Sequence, residues 1–145
     1  MTILKAKDIL TRPLISITSE RTMVEAAKMM VENNMGLLVI CDQKDHNRLR
    51  GVVSERDIIR SVANGKDATT NVEAISTHEV VTVKWNSEIA ETAKAMNKHR
   101  IRHVVVIDDA DKPIGVVSMR DLVGERSTLR AILQSLDKEV FPGGD

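Results

Sequence analysis

Gly51-Val52-Val53-Ser54-Glu55-Arg56-Asp57 returns as Gly115-Val116-Val117-Ser118-Met119-Arg120-Asp121, with six of seven residues identical. The echo extends upstream at an offset of 66, where Met23, Ala26, Ala27 and Met30 find Ile89, Thr92, Ala93 and Met96. At the same offset Met35-Gly36-Leu37-Leu38-Val39 finds Ile101-Arg102-His103-Val104-Val105. The offset drops to 64 at the heptapeptide, so the first copy carries two extra residues between Asp42 and Gly51. A spacing broken only inside one polar loop marks a duplicated structural unit. A unit this small does not bury a core of its own, so the two copies are expected to pack on one another. Like packed on like implies a pseudo-two-fold axis with a cleft between the copies, and such a cleft is the natural place for function.

Each copy reads strand, helix, strand, strand, helix. In the first, a strand is expected over 14–17. Thr22 or Ser19 can then cap a helix whose apolar positions Met23, Ala26, Ala27, Met30 and Val31 follow helical spacing. Leu37 to Cys41 is an unbroken apolar run, as in a strand covered on both faces. A charged loop from Gln43 to Arg50 leads to a strand over 51–54. Asp57 then opens a helix through Ile58, Ile59 and Val62, which Asn64-Gly65 closes. The second copy repeats this over 80–83, 88–98, 104–107, 114–118 and from Asp121 onward, with a tight turn at Asp109-Ala110-Asp111-Lys112-Pro113. The expected divisions are a first domain over 3–65, a linker over 66–71, a second domain over 72–126 and a tail over 127–145. Leu129, Ile132, Leu133 and Leu136 give the tail an amphipathic helix from Ser127 to Val140.

The β-α-β-β-α order, the apolar strands ending in Asp42 and Asp108, and the doubled Gly-hydrophobic-hydrophobic-Ser-x-x-Asp resemble a tandem pair of CBS (cystathionine β-synthase) domains, a Bateman module. The resemblance covers about residues 3 to 126. It implies an α/β (α+β) fold of two packed units. It also implies a regulatory, non-catalytic module that binds adenosine-containing ligands such as AMP, ADP, ATP or S-adenosylmethionine in clefts between the units. An unidentified regulated protein would read the ligand state, and a homodimer is the expected assembly. No obligatory cofactor and no metal are implied.

The Ser-x-x-Asp spacing has a chemistry of its own. Residues three apart face one another on the first turn of a helix. A carboxylate there is favoured by the positive end of the helix dipole. Ionised, Asp57 or Asp121 can accept from both hydroxyls of a ribose, each charge-assisted bond being worth about 1.5–3 kcal/mol. Ser54 or Ser118 can meet a phosphate or the sugar, and Arg56 and Arg120 supply positive charge beside them. The same four residues are also a capping motif, and one carboxylate can serve both roles. Basic residues separate the copies. By resemblance, Arg102 and His103 match phosphate contacts, whereas the first copy has Gly36 and Leu37 there. Adenine would need an apolar slot with backbone partners, for which Leu14, Ile15 and Ser16, and Val80, Val81 and Thr82, are candidates. Leu38 and Val104 would lie behind it. For any one of these aliphatics, core packing is the competing reading.

Composition removes other classes. Lys and Arg together number 21, as do Asp and Glu, so no global field draws the chain to nucleic acid or anionic lipid. Trp85 and Phe141 are the only aromatics, too few for base-stacking platforms. A nucleic-acid binder using Arg48, Arg50, Arg56, Arg100, Arg102 and Arg120 is the weaker alternative, and a ligand-free interaction protein another. Ser118, His103 and Asp121 could spell a hydrolase triad, but no nucleophile elbow accompanies them. No P-loop or Gly-x-Gly-x-x-Gly occurs. His99 and His103 straddle a helix end and a strand start and should not share a metal, while His46 and His78 fall in loops. The seven methionines read as adaptable packing. A single cysteine, Cys41, excludes an internal disulfide and reads as a buried thiol. With no apolar run of about 18 residues and no leader pattern, the expected location is cytoplasmic.

Overall fold

The computed structural model describes residues 3–10, 12–124 and 133–134. A short 3₁₀ turn, Ala6–Ile9, leads the chain. The first copy then forms β1 (Ser16–Thr18), α1 (Met23–Asn33), β2 (Leu37–Cys41), β3 (Leu49–Ser54) and α2 (Glu55–Ala63). The second forms α3 (Val72–Ile75), β4 (Thr82–Lys84), α4 (Ile89–His99), β5 (His103–Ile107), β6 (Pro113–Ser118) and α5 (Met119–Val123). Two three-stranded sheets result, in the orders β1-β2-β3 and β4-β5-β6. This is the α+β architecture of paired β-α-β-β-α units that the repeat predicted.

Thr22 sets the start of α1. Its hydroxyl accepts from the Glu25 N–H at 3.2 Å, and the Glu25 carboxylate accepts from the Thr22 N–H at 3.1 Å. This reciprocal box satisfies two backbone donors that a helix start otherwise leaves open. Asn34 ends α1 in the left-handed conformation, and Arg100 ends α4 the same way at the equivalent position. Parallel neighbours need a crossover, and α1 and α4 supply it between β1 and β2 and between β4 and β5. The inward stripe of α1 is Met23, Ala26 and Met30, and that of α4 is Ile89, Thr92, Ala93 and Met96, all buried. Val31 departs from the expected stripe. It is 82% exposed, because the eighth residue after Met23 has rotated past the inward face.

β1 and β4 also depart from expectation. The strands begin at Ser16 and Thr82, two residues after Leu14 and Val80, because the ladders start at Ser16 opposite Val39 and Thr82 opposite Val105. β3 starts earlier than expected, at Leu49, which pairs with Cys41 after a register shift.

Two compact units emerge, and they do not coincide with the copies. The first comprises Leu14–Val80 with Asp111–Pro113; the second comprises the described residues of Met1–Pro13, Val81–Ala110 and Ile114–Asp145. Each unit thus takes its leading turn from the other copy. In the second unit Ala6 and Ile9 are buried among Val83, Met96, Val106 and Leu122. The Ala6 N–H donates to the Ser87 carbonyl at 2.8 Å and the Lys7 N–H to the Trp85 carbonyl at 3.0 Å. In the first unit Val72 is buried among Ala26, Leu38, Ile40 and Val53, and its N–H donates to the Arg21 carbonyl at 2.8 Å. Ala6 and Ile9 stand 66 residues before Val72 and Ile75, so the exchange is reciprocal at equivalent positions. The expected tail helix from Ser127 to Val140 lies outside the described residues, apart from Leu133 and Gln134, which are helical.

Candidate functional site

Strand direction gathers the predicted residues. In the first sheet, parallel β1 and β2 begin where antiparallel β3 ends, and Leu37 pairs with Ser54. Ser16, Leu37 and Ser54 therefore lie toward one end of the sheet, with Leu14 and Ile15 entering β1, Gly36 entering β2, and Arg56 and Asp57 leaving β3. The second sheet does the same for Thr82, His103 and Ser118, with Arg102 before β5 and Arg120 and Asp121 after β6. Val81 joins this edge through its carbonyl, which accepts from the Val105 N–H at 3.2 Å. Val80 is the last residue of the 14–80 stretch of the first unit, and Val81 opens the 81–110 stretch of the second.

At both edges the Ser-x-x-Asp motif caps the following helix. Ser54, not Asp57, occupies the N-cap of α2, and Asp57 sits three residues in. The Ser54 N–H and hydroxyl both donate to Asp57 Oδ2, at 2.8 and 3.0 Å. The Asp57 N–H donates to Ser54 Oγ at 3.2 Å. At α5 the Ser118 N–H donates to Asp121 Oδ2 at 2.9 Å and the Asp121 N–H to Ser118 Oγ at 3.1 Å. Each carboxylate spends one oxygen on the cap and turns the other elsewhere. Asp57 Oδ1 lies 3.8 Å from Arg60 Nη1, with the carboxylate side chain only 14% exposed. Asp121 has no such cation, since Gly124 stands at the equivalent position, and its Oδ1 makes no hydrogen bond or ion pair among the described residues. Asp121 is the more available acceptor.

The strand entries are fastened to the helix starts. The Glu55 N–H donates to the Gly36 carbonyl at 2.9 Å, and the Met119 N–H to the Arg102 carbonyl at 2.8 Å. Arg102, Arg56 and Arg120 are exposed, while His103 is half-buried. Leu38 and Val104 are closed in the two cores, so their side chains form the floor beneath these edges. Two residues escaped the sequence reading. The Glu55 carboxylate lies 3.5 Å from where a Gly36 Cβ would stand, making the first edge acidic where the second has Met119 and Arg102. Arg60 beside Asp57 was legible as an opposite-charge pair three residues apart.

The remaining candidates fall elsewhere. No group of three His, Cys, Asp or Glu fit for a metal occurs among the described residues. His78 is exposed, with Nδ1 3.4 Å from the Arg50 carbonyl. Cys41 is buried, and burial pushes its thiol pKa up against the opposing effect of a Ser16 hydrogen bond. No described helix is long and apolar enough to cross a membrane.

Comparison with known proteins identifies the fold. A CBS domain protein of Pyrobaculum aerophilum, solved in complex with AMP, is 34% identical and superposes with a TM-score of 0.87 over 90% of this chain and 99% of its own. The CBS domain pair of protein MJ0100, solved with 5'-methylthioadenosine and S-adenosyl-L-methionine, is 31% identical with a TM-score of 0.77, covering 85% of this chain and 95% of that one. An uncharacterised 17.7 kDa protein of Acidianus ambivalens is 35% identical over 81% of this chain and 70% of its own length. The CBS domain family profile matches residues 6–64 and again 72–127, spanning both Ser-x-x-Asp edges, and the chain belongs to the CBS domain family.

Proposed function

We propose that the chain is a non-enzymatic sensor that binds an adenosine-containing nucleotide at its strand edges and passes the ligand state to a partner protein. The supporting observation is Asp121 Oδ1, which has no partner among the described residues while the Ser118 cap fixes the other oxygen, on a helix start whose Met119 N–H holds the Arg102 carbonyl. A ribose diol can use that oxygen, and a phosphate suits the neighbouring cations. The AMP-bound and S-adenosylmethionine-bound relatives show that closely similar chains accept this ligand class. Asp57, Ser54 and Arg56 form the equivalent candidate in the first unit, where Glu55 and the Arg60 pair make a weaker phosphate site. The adenine slot is assigned to Leu14, Ile15, Ser16, Gly36 and Leu37, and to Val80, Val81 and Thr82.

A second copy of the chain is the proposed assembly partner. α1 packs beside α2, and together they expose Val24, Val31, Ile59 and Val62, of which Val31 and Ile59 are 82% and 69% accessible. Water contact of this extent on adjoining helices favours an apolar partner surface. The proposed location is the cytoplasm.

A thermal-shift panel with AMP, ADP, ATP and S-adenosylmethionine tests the reading. At 100 times Kd the stabilisation is about 2.7 kcal/mol, readily seen as a raised midpoint. Asp121→Ala should weaken binding by about tenfold or more, the size of one charged hydrogen bond. No shift with any adenosine compound would leave a ligand-free interaction protein as the better description. Unchanged affinity in Asp121→Ala would remove that residue from the site. Arg102→Ala should weaken ATP more than adenosine.

A further inference from the structure

Lys7 and Glu73 occupy the same position in the two leading turns, 66 residues apart, and carry opposite charges. Each lies on a surface of matching opposite sign. Lys7 Nζ stands 4.8 Å from the centroid of the Trp85 ring, over its electron-rich face. The indole N–H donates to Asp109 Oδ1 at 3.1 Å. Lys7 and Trp85 line an open depression with Asp108, Asp109, Ala110 and Ile114, at the end of the sheet away from the Ser-x-x-Asp edge. In the first unit the Arg50 guanidinium hydrogen-bonds the Glu73 carboxylate and lies 3.6 Å from Asp42.

Neither surface would receive the other turn's charge. Arg50 corresponds to Ile114 in the second copy, and Trp85 to Ser19 in the first. A carboxylate at residue 7 would meet Ile114 and two aspartates. An ammonium at residue 73 would meet the Arg50 guanidinium, whose only remaining carboxylate neighbour among the described residues is Asp42. The apolar parts of the turns carry no such distinction, since Ala6 with Ile9 and Val72 with Ile75 are small aliphatic pairs on one spacing.

We propose that the Lys7–Trp85 contact, on a surface that also carries Asp109, and the Glu73–Arg50 pair are a charge code that assigns each exchanged turn to its unit. The code selects the native exchange over a fold in which each copy keeps its own turn.

The test uses the full chain with Lys7→Glu, Lys7→Met, Glu73→Lys and Glu73→Gln. Sign, more than side-chain loss, should decide the outcome. Lys7→Glu should melt at least about 2 °C below Lys7→Met, and Glu73→Lys by a similar margin below Glu73→Gln. Trp85, the only tryptophan, reports where the turn sits. Its emission should shift more in Lys7→Glu than in Lys7→Met. Reversed-charge variants as stable as neutral ones would overturn the code, as would equal emission in Lys7→Glu and Lys7→Met. Should Lys7→Glu not fold, Lys7→Arg provides the contrast: it should match the parent where Lys7→Met loses stability, and equality of those two overturns the proposal.

Discussion

Gly51→Ala and Gly115→Ala are the same change at equivalent positions of the repeat, and the structure predicts different outcomes. Neither glycine has a positive φ, so space decides the result, not backbone conformation. A Cβ on Gly51 would stand 2.7 Å from the Thr77 carbonyl oxygen. That oxygen belongs to a backbone bridge in which the Val52 N–H donates to the Thr77 carbonyl at 3.0 Å and the Thr77 N–H to the Val52 carbonyl at 2.9 Å. Relief requires moving the chain that follows α3 and stretching both bonds. Overpacking of this kind costs about 1–3 kcal/mol. Replacing glycine recovers about 0.4–1 kcal/mol by restricting the unfolded chain. The net loss for Gly51→Ala is at most about 2.6 kcal/mol and centres near about 1.3 kcal/mol, or a melting midpoint lower by about 3–5 °C in a chain of this size. A Cβ on Gly115 would instead meet Leu10 Cδ2 at 2.6 Å, the far end of a side chain that can turn aside. Gly115→Ala should stay within about 1 kcal/mol of the parent. Scanning calorimetry of the two variants is the assay. If Gly51→Ala matches the parent, or Gly115→Ala loses more than Gly51→Ala, the packing argument is wrong.

Thr22→Ala removes the α1 cap and should destabilise the chain by about 1 kcal/mol in urea unfolding. Arg100→Gly, at φ 54°, should be neutral to stabilising by up to about 1 kcal/mol in the same assay, because glycine adopts the left-handed C-cap without strain. Asp42 is held below its ordinary carboxylate value of 3.8 by the N–H groups of Lys44 and then Asp45. A lowered folded pKa gives stability that is present above that ordinary value and lost as pH falls through the folded one. Side-chain NMR should therefore show Asp42 titrating below 3.8, and Asp42→Asn should flatten the acid limb of the stability curve. Cys41, kept protonated by burial, should react with a thiol reagent only when the chain is unfolded, and prompt labelling of the native protein would contradict its placement.

Periodicity located the long elements because burial obeys it. The α1 and α4 stripes, the apolar runs of β2 and β5, and the two Ser-x-x-Asp caps could all be read from spacing. The entries to β1 and β4 could not, because Leu14 and Val80 are as apolar as the ladder residues and only pairing with β2 and β5 shows where a strand begins. At the candidate site, the doubling of Ser54/Asp57 as Ser118/Asp121 marked corresponding ends of the two sheets. The availability of each carboxylate did not show, because it depends on Arg60 reaching Asp57 with no counterpart at Gly124. The turn exchange left a faint signal: Ala6 and Ile9 repeat as Val72 and Ile75, but two aliphatic matches do not say which sheet they cover.

That exchange changes what counts as a transplantable part. Residues 14–80 carry a sheet, two long helices and the Val72 plug in one nearly continuous stretch. A cassette cut at 14 and 80 keeps its own lid, whereas one cut at the family-match boundaries, 6 and 64, carries off its neighbour's and leaves its own behind. The second unit has no continuous cassette at all; to travel alone, it needs residues 3–10 spliced ahead of residue 81.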